Sequence, residues 1–218
     1  MSNNSLYLNI LKWICALLIL AGAYLMVRIT WPYFSFETDI GFLLTKQSVL
    51  YLDIWMISFY THISTSLVVL LIGCIQFSRF IRTHYVKYHR LFGKIYVLLV
   101  LFCAAPGGLV MALYANGGFW ARLSFVLIST GWWLFTFMGY RTIKHGHTEA
   151  HREWMIRSYA LTLSALTLRF YVYISPIFIH LPARDMYVLV AWLSWIPNLL
   201  IAEWIIRRKH TIKRGSVN

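Results

Sequence analysis

Residues 151–170 read HREWMIRSYALTLSALTLRF. The stretch opens with a histidine among charged residues and turns into an apolar run long enough to enter a bilayer. Twelve residues beyond Arg157, a second arginine, Arg169, stands where hydrocarbon is expected. An ionisable side chain inside a span is costly and faces the interior of a helix bundle, where something polar meets it. Whether this segment spans a membrane therefore decides the fold, and the rest of the chain gives the answer. The chain is 60% hydrophobic and only 12% charged, against about 25% charged in a soluble domain. About 20 apolar residues cross the roughly 30 Å of hydrocarbon in a bilayer. Six runs reach that length, at about 10–31, 53–77, 92–114, 119–140, 154–180 and 186–206. The expectation is an all-α, polytopic membrane bundle of six transmembrane helices, forming one domain over residues 1–218. The longest stretch outside the spans, about 32–52, is too short to bury a core of its own.

The net charge of +13 is unevenly placed. Arg79, Arg82, Lys87, Arg90 and Lys94 lie between the second and third runs, and Arg141, Lys144, Arg152 and Arg157 flank the fourth and fifth. The C-terminus adds Arg207, Arg208, Lys209, Lys213 and Arg214. The alternate loops hold only Arg28, Lys46, Arg122 and Arg184, with Glu37, Asp39, Asp53 and Asp185 among them. This is a positive-inside pattern that places both termini in the cytoplasm, with the chain as a multi-pass protein of the inner (plasma) membrane. The basic surface fits anionic lipids at the cytoplasmic face and not a nucleic-acid partner. Ala21-Gly22-Ala23 resembles a signal-cleavage site, but the apolar run continues through Val27, so an uncleaved first helix is expected. Cys15, Cys74 and Cys103 fall inside spans without a C-x-x-C pair, which suits packing better than disulfides or metal ligation. Arg79 precedes His89-Arg90 by ten positions and Arg141 precedes His151-Arg152 by the same ten, which admits a duplicated hairpin or a coincidence of two basic loops.

Polar residues in the spans fall on stripes. Ser58, His62, Thr65, Gly73 and Gln76 share one side of the second helix, and His151, Ser158, Thr162, Ala165 and Arg169 share one side of the fifth. At a rise of about 1.5 Å per residue, His62, the Pro106-Gly107-Gly108 break and Arg169 come to one level in the half of the membrane away from the basic loops. Pro106 removes a helical hydrogen bond and the two glycines admit close approach by another group. A basic side chain beside a broken helix and a histidine can form a pocket for an anionic or carbonyl-bearing ligand. Alternatively, Arg169 serves only the carbonyls freed near Pro106, and His62 is a packing residue.

At the other rim, His84, His89, His145, His147 and His151 gather with Glu149 nearby, at spacings that suit zinc, copper or iron or a plain solvated loop. His89 and His151 begin different helices on the same face. They suit axial ligation of one b-type haem, with Gly93 making room and Arg90, Arg152 or Arg157 near the propionates. Interfacial contact with headgroups is the structural alternative. His62 has no second histidine at its depth, so a two-haem path is not supported. Glu203 lies at the depth of Arg157 and is expected to neutralise an arginine. Trp31, Trp120 and Tyr114 suit the interfacial belt, and Trp132-Trp133 suit packing.

The motifs YHRLFGKIY (88–96) and HREWMIRSYALTLSALTLRF (151–170) resemble the signatures of a family of polytopic bacterial membrane proteins classed as a domain of unknown function. The likeness covers roughly the second to sixth helices. It implies that His62, His89, Arg90, His151, Trp154, Arg157 and Arg169 stand at the family's signature positions, and it implies no activity. A remote similarity to cytochrome b561-type bundles, in which histidines near helix ends hold haem, departs here in lacking a second complete pair. Three readings follow. The first is a redox protein with one haem b between His89 and His151 and a quinone-like or other lipid-soluble ligand near His62 and Arg169. The second is a non-enzymatic carrier or lipid-binding module with Arg169 on an anionic ligand. The third is a metal-dependent membrane enzyme using the histidines of the basic face.

Overall fold

The computed structural model describes the backbone of residues 3–215 and the side chains of residues 10, 13, 14, 16–78 and 80–211. It is all-helical over the described residues, in the order α1 (Asn3–Thr30), α2 (Asp53–Gln76), α3 (Arg79–His84), α4 (Val86–Leu99), α5 (Ala105–Leu113), α6 (Phe119–Lys144), α7 (Thr148–Thr162), α8 (Ser164–Phe178), α9 (Ala183–Leu193) and α10 (Ile196–Gly215). Six helical stretches are long and apolar enough to cross a membrane, at Ala16–Ser35, Asp53–Gln76, Val86–Leu113, Phe119–Lys144, Thr148–Phe178 and Ala183–Thr211. The expected membrane fold is therefore present. The third to sixth spans overrun their apolar runs at the end that carries the basic loops, called here the basic end. Hydropathy marks only the hydrocarbon-facing part, whereas backbone hydrogen bonding continues through Lys, Arg and His turns at the headgroups.

Three of the six spans are built from two helices. In the third span α4 passes through a π turn, Val100–Ala104, before α5 begins at Ala105. Pro106 explains the turn. With no N–H at residue 106, the wider register leaves the carbonyl five residues earlier, that of Leu101, without its helical donor. Trp133 fills the gap, its indole N–H donating to Leu101 O at 3.2 Å. The fifth span bends at Leu163 between α7 and α8, and the sixth breaks at Ser194-Trp195 just before Pro197. At that second break Ser124 Oγ and Ser194 Oγ both donate to Ala191 O, Trp195 Nε1 donates to Ser124 Oγ at 2.9 Å, and Asn198 Nδ2 donates to Ala160 O and Thr167 Oγ1. Side chains from neighbouring helices supply the donors and acceptors that the broken backbone lacks.

The main core lies where α2, α4, α5, α6 and α7 meet, with Val69, Tyr96, Val100, Ala104, Trp132 and Leu161 buried. Inside it four hydroxyls from three spans close on one another. Tyr96 hydrogen-bonds with Ser158 and Thr162, each at 2.9 Å, and Ser158 with Thr136 at 2.7 Å. Ser158 and Thr162 lie on the expected stripe of the fifth helix, and Tyr96 and Thr136 join them from the third and fourth spans. Gly73 admits the ring of Tyr159, which a Cβ there would overlap, and the Tyr159 hydroxyl lies 3.1 Å from Cys74 Sγ. Cys74 and Cys103 are free thiols, half-buried among packing residues; the Cys15 side chain lies outside the described residues. The two basic hairpins differ: the first contains α3, capped by Ser78 accepting from Ile81 N–H, and the second is a short turn through Gly146. The side chain of Arg79, which would begin the first repeat, is not among those described.

At the end opposite the basic loops, residues 31–52 form two 3-10 turns, Trp31–Ser35 and Gly41–Lys46. They do not make a core of their own. Leu43 instead joins Trp55 and Phe59 of α2, whose rings stack 5.5 Å apart. Lys46 is buried with them at 3% exposure, and its ammonium donates to Tyr114 O at 2.6 Å and Asn116 Oδ1 at 2.7 Å. Arg122 donates to Ala115 O and Arg184 to Gly117 O, so three cations clasp one turn after the C-terminus of α5. The negative end of a helix and its unpaired carbonyls favour this arrangement.

Burial, and secondarily the charge of Arg122, hold the Lys46 ammonium down from 10.5 to about 8. Between these values the unfolded chain binds the extra proton, so stability rises as pH climbs from about 8 towards 10 and is flat below. Thermal unfolding in detergent is expected to show this rise in the native chain relative to Lys46→Met, measured as the difference in midpoint between the two at each pH. An unchanged difference across that window would place Lys46 in water.

Candidate functional site at the third-span break

Of the residues that the sequence placed at one level, His62 and the Pro106-Gly107-Gly108 break touch one another, while Arg169 lies only within electrostatic reach of His62. His62 of α2 donates from Nδ1 to Ala104 O at 2.7 Å, so Nδ1 carries the hydrogen and Nε2 is the ring's remaining polar atom. Its ring meets Trp132 edge-on at 6.5 Å. A Cβ at Gly107 would lie 2.9 Å from Ser58 O, and one at Gly108 would lie 3.0 Å from both Nδ1 and Cε1 of His62. The group admitted by the two glycines is thus α2 itself. Gly107 and Gly108 seat α2 and the His62 ring, while Pro106 is exposed.

Arg169 of α8 lies within electrostatic reach of His62, Tyr33 and Tyr173. It does not serve the carbonyls at Pro106, since Trp133 takes that of Leu101. Its Nη1 donates to Ala165 O, one turn back on its own helix, at 3.0 Å. Among the described residues no carboxylate pairs with it. Tyr33 is itself held by the cap, its hydroxyl accepting the Phe42 N–H at 2.8 Å, and the nearby Tyr60 hydroxyl is buried without a partner.

Arg157, one helix earlier in the same span, is the opposite case. Its Nε donates to Glu203 Oε1 at 2.5 Å and its Nη2 to Oε2 at 3.0 Å, and its guanidinium lies 4.8 Å from the Trp154 ring centre. Glu203 therefore neutralises Arg157 across α7 and α10, as depth arithmetic implied, and the edge of Arg157 offered to a propionate is already engaged.

At the basic end, His151 Nδ1 donates to Gly139 O at 2.7 Å. His89 lies within electrostatic reach of His151, Arg82 and Arg90, and its Nδ1 is buried with no hydrogen-bond partner. Gln76 donates to the His89 carbonyl, and its Oε1 would stand 3.7 Å from a Cβ at Gly93, so the room expected beside Gly93 borders on Gln76. Arg90 and Arg152 are exposed. His145 and His147 line an open groove of about 410 Å³ with Met138, Arg141 and Thr142. His84 stacks on Phe80. Among the described residues no three His, Cys, Asp or Glu side chains converge as a metal site.

The Arg157–Glu203 pair generates a stability test. The side chains are 18% and 36% exposed, so removing one partner should cost less than the roughly 3–5 kcal/mol of a fully buried pair. Glu203→Gln is expected to lower stability by about 2 kcal/mol, and Arg157→Gln on top of it to recover part of the loss. Denaturation of the single and double variants in detergent measures the coupling, and additive losses would mean that the pair is not coupled.

No curated protein and no solved structure matches the chain. One family does, over residues 59–206, a stretch that contains His62, the break, both arginines and Glu203. The chain belongs to the family described as "Predicted membrane protein (DUF2306)".

Proposed function

We propose that this multi-pass membrane protein is a ligand-binding module or carrier without covalent chemistry of its own, centred on Arg169 with His62 beside it. Charge balance inside the spans carries the reading. Arg157 has Glu203, whereas among the described residues Arg169 hydrogen-bonds only a carbonyl of its own helix, with Tyr33, Tyr173 and His62 within electrostatic reach and no carboxylate paired with it. An uncompensated guanidinium in a low-dielectric interior costs several kcal/mol, and an anion or a carbonyl oxygen relieves that cost. His62 supports the reading because the Ala104 carbonyl fixes its ring and leaves Nε2 as a second polar atom at the centre. In Arg169→Leu the expected outcome is a folded protein, as stable as the native chain or more so, that no longer retains the small molecules co-purifying with the native chain by native mass spectrometry. Unchanged retention would overturn the reading.

A second reading rests on a different observation, the Nδ1 of His89, buried without a partner among the described residues and within electrostatic reach of His151. A carbonyl holding one ring nitrogen, as Gly139 holds His151, is the usual support of a metal-bound imidazole. Two neutral imidazoles from different spans suit the donor set of a b-type haem, which supplies one-electron chemistry when bound. His89 and His151 would hold the iron and Arg90 and Arg152 would meet the propionates; Gln76 would turn away from Gly93 to admit the ring. This reading predicts a Soret band that shifts on dithionite reduction of the purified protein and is lost in His89→Ala or His151→Ala. A flat visible spectrum from haem-replete cells removes it.

A further inference from the structure

We infer that the ligand of Arg169 is the monoanionic oxygen head of a membrane-dissolved amphiphile, a carboxylate or a phosphodiester, entering from the lipid beside α1 and α8. The inference rests on Arg169 as the binding centre. Three observations define the ligand.

The first is the edge of the guanidinium that is left. Nη1 is engaged by Ala165 O, and the Nε–Nη2 edge has no partner among the described residues. The same edge of Arg157 takes a carboxylate two-pronged, Nε to Oε1 and Nη2 to Oε2. The protein thus displays, one helix away, the head that this edge accepts. A planar pair of oxygens satisfies both donors, whereas a single carbonyl satisfies one.

The second is charge. Arg169 is a single cation, and the groups within electrostatic reach, Tyr33, Tyr173 and His62, add no carboxylate. A monoanion leaves the site neutral, as Glu203 leaves Arg157 neutral. A dianion would carry surplus charge into hydrocarbon.

The third is the way in. One turn from Arg169, Leu166 of α8 rests on Gly22 of α1, 3.0 Å from where a Cβ would lie. On the same stretch of α8, Phe170 and Tyr173 are 57% and 70% exposed, and Tyr24 and Leu25 of α1 are exposed as well. This lipid-facing wall suits an acyl tail running from a head at Arg169. At the end opposite the basic loops, Leu43, Lys46, Trp55 and Phe59 are packed and buried together.

The test is equilibrium binding of labelled oleate to the full chain in nanodiscs of digalactosyldiacylglycerol, a bilayer lipid with neither phosphate nor carboxylate. The expected result is saturable binding that methyl oleate does not displace. It should weaken at least about tenfold in Arg169→Gln and less in Arg169→Lys, whose point charge lacks the fork. Thermal melting of each variant in the same discs checks folding, and Arg169→Lys keeps the charge if Arg169→Gln melts early. Displacement by phosphatidylglycerol assigns the head to a phospholipid phosphodiester, and its failure to displace assigns a free carboxylate; both support the inference. Acetate displacing as well as oleate would overturn the amphiphile. Methyl oleate competing equally, with Arg169→Gln still losing binding, would overturn the anionic head while leaving Arg169 as the binding centre. Oleate binding equal in Arg169→Gln and the native chain would overturn both.

Discussion

A carbonyl released inside hydrocarbon must find a donor from the protein, because neither lipid nor water offers one at that depth. Pro106 releases one in the middle of the third span, and much of the bundle is arranged around the consequence. The helix widens through Val100–Ala104, Trp133 reaches across from α6 to Leu101, and α2 packs against Gly107 and Gly108 closely enough for His62 to bond Ala104. Three spans are thereby pinned at one level. The sixth span repeats the solution at Pro197, where Ser124, Trp195, Asn198 and Thr167 take up the loose backbone. The breaks are rigid joints, held by named hydrogen bonds on both sides.

Against that frame of satisfied groups, the unsatisfied ones carry information. Four hydroxyls in the core close on one another, Lys46 finds two acceptors, and Arg157 finds a carboxylate. Arg169 and the Nδ1 of His89 do not find equivalents among the described residues. The Tyr60 hydroxyl and the indole nitrogens of Trp55 and Trp132 are likewise buried without a partner among the described residues, and Arg169 and His89 differ from them in being basic.

The sequence showed the six spans through hydropathy and, through depth arithmetic, that Glu203 neutralises an arginine, either locally or across the fifth and sixth spans; the structure decides for Arg157 across the spans. The sequence also brought His62, Pro106 and Arg169 to one level. It did not show that the glycines there are filled by α2, nor that Trp133 takes the loose carbonyl, because those facts depend on rotation between helices. Tyr96 and Thr136 escaped notice because a tyrosine and a threonine are ordinary residues in a span until their partners on another helix are known. Lys46 was counted as one of a few charges in a loop, and its burial follows from the fold of 31–52 over α2, which hydropathy does not register.

The tie between Arg157 and Glu203 also bears on how the chain is made. The two residues are 46 positions apart, so the arginine reaches the membrane well before its counter-charge has been synthesised. Until α10 arrives, the fifth span carries a cation that neither lipid nor the earlier helices neutralise. The guanidinium of the fifth span therefore gains its carboxylate only once the sixth span is in place. A chain that stopped between them would leave Arg157 with the Trp154 ring and no counter-charge from Glu203.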